Sequence, residues 1–351
     1  MATRQKFYSD LGLCVLVVAL CLSLLPMSSA AQTAGKEGWP KKIVISVTGG
    51  EAGPAYPILS GLGRMIEKHL AVSVGMTSAS GHDSANLLQK GEIHIMLPSA
   101  FASRHDLRGT GPSEKWGPTP LRAWLQAQIF EQNIIAKPGI KSFKDLEGKI
   151  ICIGPRAVPI PEIIFNTLAD IHGVDVKKVR MVKWDRPTEA YDGFKAGRFD
   201  AIAVPGFYPT ALTTELLLSH PGHILHMDDA QMAKLQKQLP WVMPLTIPPG
   251  TYKGMDKAVQ TPAIAMFLVT HRDIPESLVY SMTKMVWDHF DEFSTFHPTC
   301  KKFSPADVTK VVDTCPYHKG AIKYYRETGV WTKELDQRQA ATLASLPPSV
   351  R

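Results

Sequence analysis

Past its first thirty residues, this chain of 351 residues has no apolar stretch near the ~20 residues a membrane-spanning helix needs, so the mature protein is expected to be soluble. It has no run of five or six basic residues, which removes the usual mark of a nucleic-acid-binding arm. There is no GxGxxG in the first strand-to-helix turn, no GxSxG elbow and no P-loop, and enzyme classes lose their common signatures with them. No HExxH is present either. His220, His223 and His226 lie three apart, but Pro221-Gly222 breaks any helix between the first two, and no metal or other cofactor is expected. Cysteine is sparse: of five, Cys14 and Cys21 fall in the leader.

That leader is what the sequence does have. Arg4 and Lys6 supply a positive start, and Leu11 to Leu25 is apolar except for Gly12 and Ser23. Pro26 breaks the run and Ser28-Ser29-Ala30 offers a small-residue cleavage site, so residues 1–30 read as a cleaved export signal and cleavage is expected after Ala30 or Ala31. Cys14 and Cys21 both follow leucine, which speaks against a lipid anchor. Of the formal charge of +7, Arg4, Lys6 and Asp10 account for one net positive charge, leaving a mild +6 on the mature chain. An anionic ligand is compatible with that charge. Cys152 sits in the apolar run Ile150–Ile153 as an inert buried thiol; Cys300 and Cys315 are expected to form a disulfide, the alternative being two free thiols.

The mature chain is too long for one compact core and reads as two α/β halves. Residues 31–40 form a linker. Lys42–Val47, Val72–Met76 and Ile93–Leu97 read as strands, the first two followed by helices, one carrying Ile58, Leu62, Met65 and Ile66 and the next Leu87 and Leu88. Leu121–Ala136 is a long extended stretch able to run out of the first lobe. The rhythm then repeats, with strands at Lys149–Ile153, Val179–Lys183 and Phe199–Val204 and helices at 162–171 and 187–195. Ala263–Thr270 is a strand able to lead back. Helices are expected over Pro275–Phe293, Ser304–Val312 and His318–Glu327, and the tail 346–351 is expected to fray. Strand–turn–helix order implies parallel-rich sheets with crossover helices, and ligands of such sheets bind beyond the carboxyl ends of the strands.

Four stretches carry a resemblance. Val47 to Pro57, VTGGEAGPAYP, looks like a Gly-Thr-Gly-rich loop ending in Tyr-Tyr-Pro; Gly81 to Leu88 is similar to a Gly-Gly-Ser-x-x-Asn-Leu turn. Ile247 to Gly254, IPPGTYKG, and His318 to Gly329, HKGAIKYYRETG, complete the set. In this order they resemble the TAXI-type solute receptors of TRAP transporters, part of the NMT1-like group of periplasmic binding proteins. The resemblance implies a two-lobed, type II-like α/β binding protein with a ligand cleft between the lobes. It implies lobe 1 over residues 41–130, lobe 2 over 131–261, and a return to lobe 1 with C-terminal helices over 262–345. It further implies a periplasmic, non-enzymatic monomer that captures a small organic acid for a TRAP membrane subunit; presentation of the ligand to a membrane sensor is the alternative, an NMT1-like enzyme a remoter one. The chain departs from the family where Gln-x-Asp is replaced by Pro98-Ser99-Ala100, and where Ser-Gly-Thr before Glu162 gives way to Val158-Pro159-Ile160-Pro161.

The candidate ligand residues follow from these loops. Thr48, Gly49, Gly50 and Tyr56 belong to the first strand-to-helix turn, which suits an anion at a helix start. Ser80, Gly81, His82 and Asn86 surround the next helix start, where Asp83 is the expected N-cap. Ser99 and Glu162 stand in loops that line the family's cleft. Arg156 offers a guanidinium fork to a carboxylate, and Tyr208 an aromatic wall. Tyr324, Tyr325 and Arg326 are read as packing the last motif helix on lobe 1.

Overall fold

The computed structural model describes residues 37–48, 51, 55–156, 158–303 and 312–351. The expected leader, most of the 31–40 linker, Gly49, Gly50 and most of the expected Ser304–Val312 helix lie outside them. The first group of elements is β1 (Lys42–Ser46), α1 (Tyr56–Met65), β2 (Ser73–Thr77), α2 (Gly81–Gln89) and α3 (Ala100–Arg108). β3 (Leu121–Ala136) follows with the bounds the sequence suggests. The second group runs β4 (Ile150–Ile153), α4 (Ile160–Ile171), β5 (Arg180–Lys183), α5 (Pro187–Lys195), β6 (Ala201–Phe207), α6 (Ala211–Ser219), β7 (His223–Ile224), α7 (Asp229–Gln238) and β8 (Val242–Ile247). β9 (Val259–His271) leads to α8 (Glu276–Asp288), α9 (Phe290–Ser294), α10 (Lys319–Glu327) and α11 (Lys333–Ala344). His289, at φ −120° and ψ 39°, breaks the single helix expected over Pro275–Phe293 into α8 and α9.

Strand order explains how the two groups are joined. In the second group it is β5–β4–β6–β3–β9–β8, with β4 parallel to β5 and β6, and β3 antiparallel to β6, β7 and β9. In the first group β2 and β1 are parallel; Ile45 bridges Ile95, and Met96 bridges Val269 of β9. The order there is β2–β1–(95–96)–β9–β3, the same plan of second, first, third, incoming and outgoing strand. Each group thus borrows one antiparallel strand from the other, and the sheet is mixed. β3 and β9 pair from Leu121 opposite His271 to Glu131 opposite Ala263, with Trp124 and Ala127 as extra residues on β3.

Three further expectations need correction here. Ile93–Leu97 makes only isolated bridges because the His94 and Ile95 N–H groups both turn to one carbonyl, Val44 O, at 2.8 and 3.2 Å. Cys300 and Cys315 are buried free thiols. Cys315 adjoins Ala123, whose N–H donates to Pro316 O, whereas Cys300 follows Thr299, which meets Gln128. The two thiols thus stand beside different positions of β3, with four residues between them. The tail does not fray: Pro348–Val350 is a 3-10 turn, Val350 is buried, and the buried Arg122 donates to Val350 O at 2.9 Å and to Leu121 O at 2.8 Å. A guanidinium without water must find acceptors, and the last carbonyls supply one.

Candidate functional site

β3 is buried along nearly its whole length, yet it carries Gln126, Gln128, Glu131, Gln132 and Asn133. The four amides are between 0% and 6% exposed, and each has atoms unpaired among the described residues: both amide atoms of Gln126 and Asn133, and Oε1 of Gln128 and Gln132. A buried polar group left without a partner costs ~1–3 kcal/mol. Four amides gathered on one strand, where two sheet groups share it, are costly as a folding device and well suited to a polar occupant.

Register sorts them onto two faces. Gln128, Phe130 and Gln132 lie opposite Met266 and Ile264 of β9 and Phe207 and Pro205 of β6, so this face holds the strand ends of both groups. The Phe130 and Phe207 rings meet edge-on with centroids 4.7 Å apart, and Phe207 meets His297 at 5.8 Å. Gln128 Nε2 donates to Thr299 Oγ1 at 3.4 Å. Gln132 and Asn133 border a cavity of about 10 Å³ against Pro161, Ile164 and Phe165 of α4, room for one water.

The other face carries Glu131. The Tyr252 hydroxyl donates to Glu131 Oε1 at 3.5 Å and accepts from Thr210 N–H at 3.1 Å. Burial, then the nearby Glu131 carboxylate, pushes the Tyr252 pKa up. Tyr191 and Thr213 share a hydrogen bond of 2.8 Å in the same core. Tyr252 lies in the Ile247–Gly254 stretch, whose turn needs glycine at Gly250 and Gly254, both near φ +80°.

The residues expected from the loops are more dispersed. Ser99 caps α3, accepting from Ala102 N–H at 3.2 Å, and bridges Met266 directly across from Gln128; among the described loop candidates it alone reaches the β3–β9 floor by a strand bridge. Tyr208 follows Phe207 and its hydroxyl lies 3.4 Å from Thr251 Oγ1. Ser80, not Asp83, is the N-cap of α2: its Oγ accepts from Asp83 N–H and donates to the Asp83 carboxylate at 2.5 Å. A serine placed before the first helical residue reaches the free N–H groups, whereas Asp83 is already inside the first turn. Ser80 is thus engaged in helix capping. His82 is engaged elsewhere, its Nδ1 2.8 Å from the wholly buried Asp106 and 2.9 Å from Ser113 Oγ. Arg156 pairs with Asp185 at 3.1 Å, both about two-thirds exposed, an ion pair weak enough to yield the guanidinium to another anion. Glu162 pairs with Lys183. Gly81 opens α2, where an added Cβ would meet nothing, and Asn86 is half-buried on the same helix. Tyr56 opens α1 half-buried, and Thr48 is exposed at the end of β1.

Sequence reasoning missed Gln126, Gln128, Gln132, Asn133, Tyr252 and His297. A signal existed for the amides, four of them inside the long extended stretch Leu121–Ala136. Tyr325 does pack on β3, its buried hydroxyl donating to Trp124 O at 3.0 Å. Among the described residues no group of three His, Cys, Asp or Glu is placed to hold a metal, and no helix is long and apolar enough to cross a membrane.

Among solved structures, the alkanesulfonate-binding protein SsuA from Xanthomonas axonopodis pv. citri bound to MOPS is similar at 14% identity, over 88% of this chain and 86% of that one, with a TM-score of 0.40. The periplasmic aliphatic sulphonate binding protein SsuA from Escherichia coli gives 12% identity over 85% and 97%, with a TM-score of 0.44. The BvgS periplasmic VFT2 domain from Bordetella pertussis gives 12% over 80% and 100%, at 0.39. The model of the NMT1-like family matches residues 47–329, more than half of the sequence, and spans β3, β9 and the motif helix α10. The chain belongs to the NMT1-like family.

Proposed function

We propose that this protein is an extracytoplasmic solute receptor, not an enzyme, whose two strand groups act as lobes and hold a small organic acid between them. The observation that carries this reading is the set of unpaired buried amides on β3, the strand both groups share. Export to the periplasm is read from the first thirty residues, and delivery to a TRAP-type membrane subunit from the four motif stretches. The acid's charge is assigned to the turn that begins at Thr48 and to Arg156, whose exposed partner Asp185 is readily exchanged. Its body is less polar than glutamate, because Pro98, Ala100 and Val158–Pro161 stand where the family places polar side chains.

A thermal-shift screen of the purified mature chain against monocarboxylates, dicarboxylates, amino acids and sulfonates tests this. A ligand at a hundredfold excess over its Kd stabilises by ~2.7 kcal/mol, a shift of several degrees. The expected result is a strong shift with a monocarboxylate, reduced in Arg156→Ala. No shift with any class overturns the receptor reading; strong shifts only with glutamate or 2-oxoglutarate, undiminished in Arg156→Ala, overturn the choice of ligand.

A further inference from the structure

Three side chains at the shared face form an ordered chain of hydrogen bonds. The Thr299 backbone N–H donates to His297 Nδ1 at 3.3 Å, so that nitrogen carries no proton. The Thr299 hydroxyl lies 2.8 Å from the same nitrogen and gives its one proton there. Its oxygen is then an acceptor, and Gln128 Nε2 donates to it at 3.4 Å. This fixes the Gln128 amide with Oε1 turned from Thr299. Burial lowers the His297 pKa, which keeps the ring neutral with its proton on Nε2. Among the described residues the wholly buried Gln128 Oε1 acceptor has no partner, and the His297 Nε2–H lies on the side of a half-buried ring away from Thr299. Phe207 lies edge-on to both Phe130 and His297, so aromatic rings border the two groups.

We infer that the part of the solute meeting this face is uncharged and both accepts and donates hydrogen bonds, as a primary carboxamide does: an acceptor for His297 Nε2–H and a donor for Gln128 Oε1. The ligand class is then a monocarboxylate with a neutral polar terminus, not a dicarboxylate. The inference rests on the reading of this face as a solute site. A second carboxylate satisfies His297 but sets acceptor against acceptor at Gln128, and an unpaired buried acceptor lowers affinity by about tenfold to a hundredfold.

Titration calorimetry of the whole mature chain with two matched pairs decides it: succinamate against succinate, and 4-carbamoylbenzoate against terephthalate. At least one monoamide should bind, at least tenfold more tightly than its dicarboxylate. Gln128→Met should shrink that preference to within threefold. His297→Phe should weaken the monoamide at least tenfold, while His297→Gln, which keeps a side-chain donor, restores most of the loss and covers the case in which Gln128→Met fails to fold. A dicarboxylate that binds as tightly as its monoamide overturns the uncharged terminus and leaves the receptor reading standing. So does binding of other acids from the wider panel with neither monoamide bound. Silence from every compound, panel included, removes the receptor reading and the inference with it.

Discussion

His318 caps α10 through Nδ1, which accepts from Gly320 N–H at 3.1 Å, while Nε2 lies 3.1 Å from Arg272 O. Both bonds fit one neutral tautomer, with the proton on Nε2. A second proton would land on Nδ1, against an N–H group, in a site almost without water. Burial lowers the pKa from 6.5 to about 4. Between those values the unfolded chain binds a proton that the folded chain refuses, so stability rises with pH through this window and levels off above 6.5. At ~1.4 kcal/mol per unit, His318 accounts for roughly 3 kcal/mol at most. Urea midpoints at pH 7, 5.5 and 4.5 should therefore fall with acid. His318→Asn, which keeps a capping oxygen, should start ~1 kcal/mol lower at pH 7 and lose less on acidification. Equal losses in the two proteins would assign the effect to the other histidines whose pKa values burial lowers, His94, His105, His172, His271 and His297.

Helix α10 shows what a motif glycine does. A Cβ on Gly320 would lie 2.3 Å from Glu276 O, 2.7 Å from Tyr280 N and 3.0 Å from Val279 Cβ, all on α8 or its first residue. Backbone atoms cannot swing aside, so the helices themselves would have to part. Gly320→Ala should cost about 1–3 kcal/mol, seen as a lower denaturation midpoint. Gly81→Ala at the start of α2 meets nothing and should change stability by less than about 0.5 kcal/mol. A large loss there with none at Gly320 would reverse this account of the two motifs. The elements most legible in the sequence were those with strong local signals. Leu121–Ala136 is a long run bounded by proline and has the ends the sequence suggests, whereas β6 runs on through Pro205-Gly206-Phe207, beyond the end expected at Val204. The third strand was misjudged because Ile93–Leu97 is β-branched enough to look regular, while its pairing depends on a single carbonyl from β1. The amides were passed over because Gln in a strand ordinarily faces water; only burial by both groups at once makes Gln126 and Gln128 unusual. His297 and Thr299 reach Gln128 across some 170 residues of sequence, which no local pattern encodes.

At the scale of the molecule, β3 and β9 link the two strand groups, and the ladder between them is interrupted at Trp124 and Ala127. An extra residue on one strand breaks the hydrogen-bond sequence and increases local twist, and rotation of one group against the other is expected at these two positions. Both lie beside the amides: Ala127 separates Gln126 from Gln128. Thr299 reaches Gln128 of β3 by one hydrogen bond of 3.4 Å, and away from the shared strands His297 meets Phe207 and Phe101 meets Trp241 by ring edges, centroids 5.8 and 5.2 Å apart. A neutral hydrogen bond contributes ~1 kcal/mol and an aromatic pair about as much, so contacts of this kind hold the groups together only weakly. A solute that pairs with Gln128 and His297 adds the missing interactions only when the groups are together, and binding then shifts the population toward the closed form. The radius of gyration in solution scattering should accordingly fall on saturation with the tightest acid from the panel, toward the ~20 Å of a compact chain this long. Gln128→Met should need more ligand for the same change. Calorimetric binding with an unaltered scattering curve would show that the site is rigid and that the interruptions at Trp124 and Ala127 serve the curvature of the sheet alone.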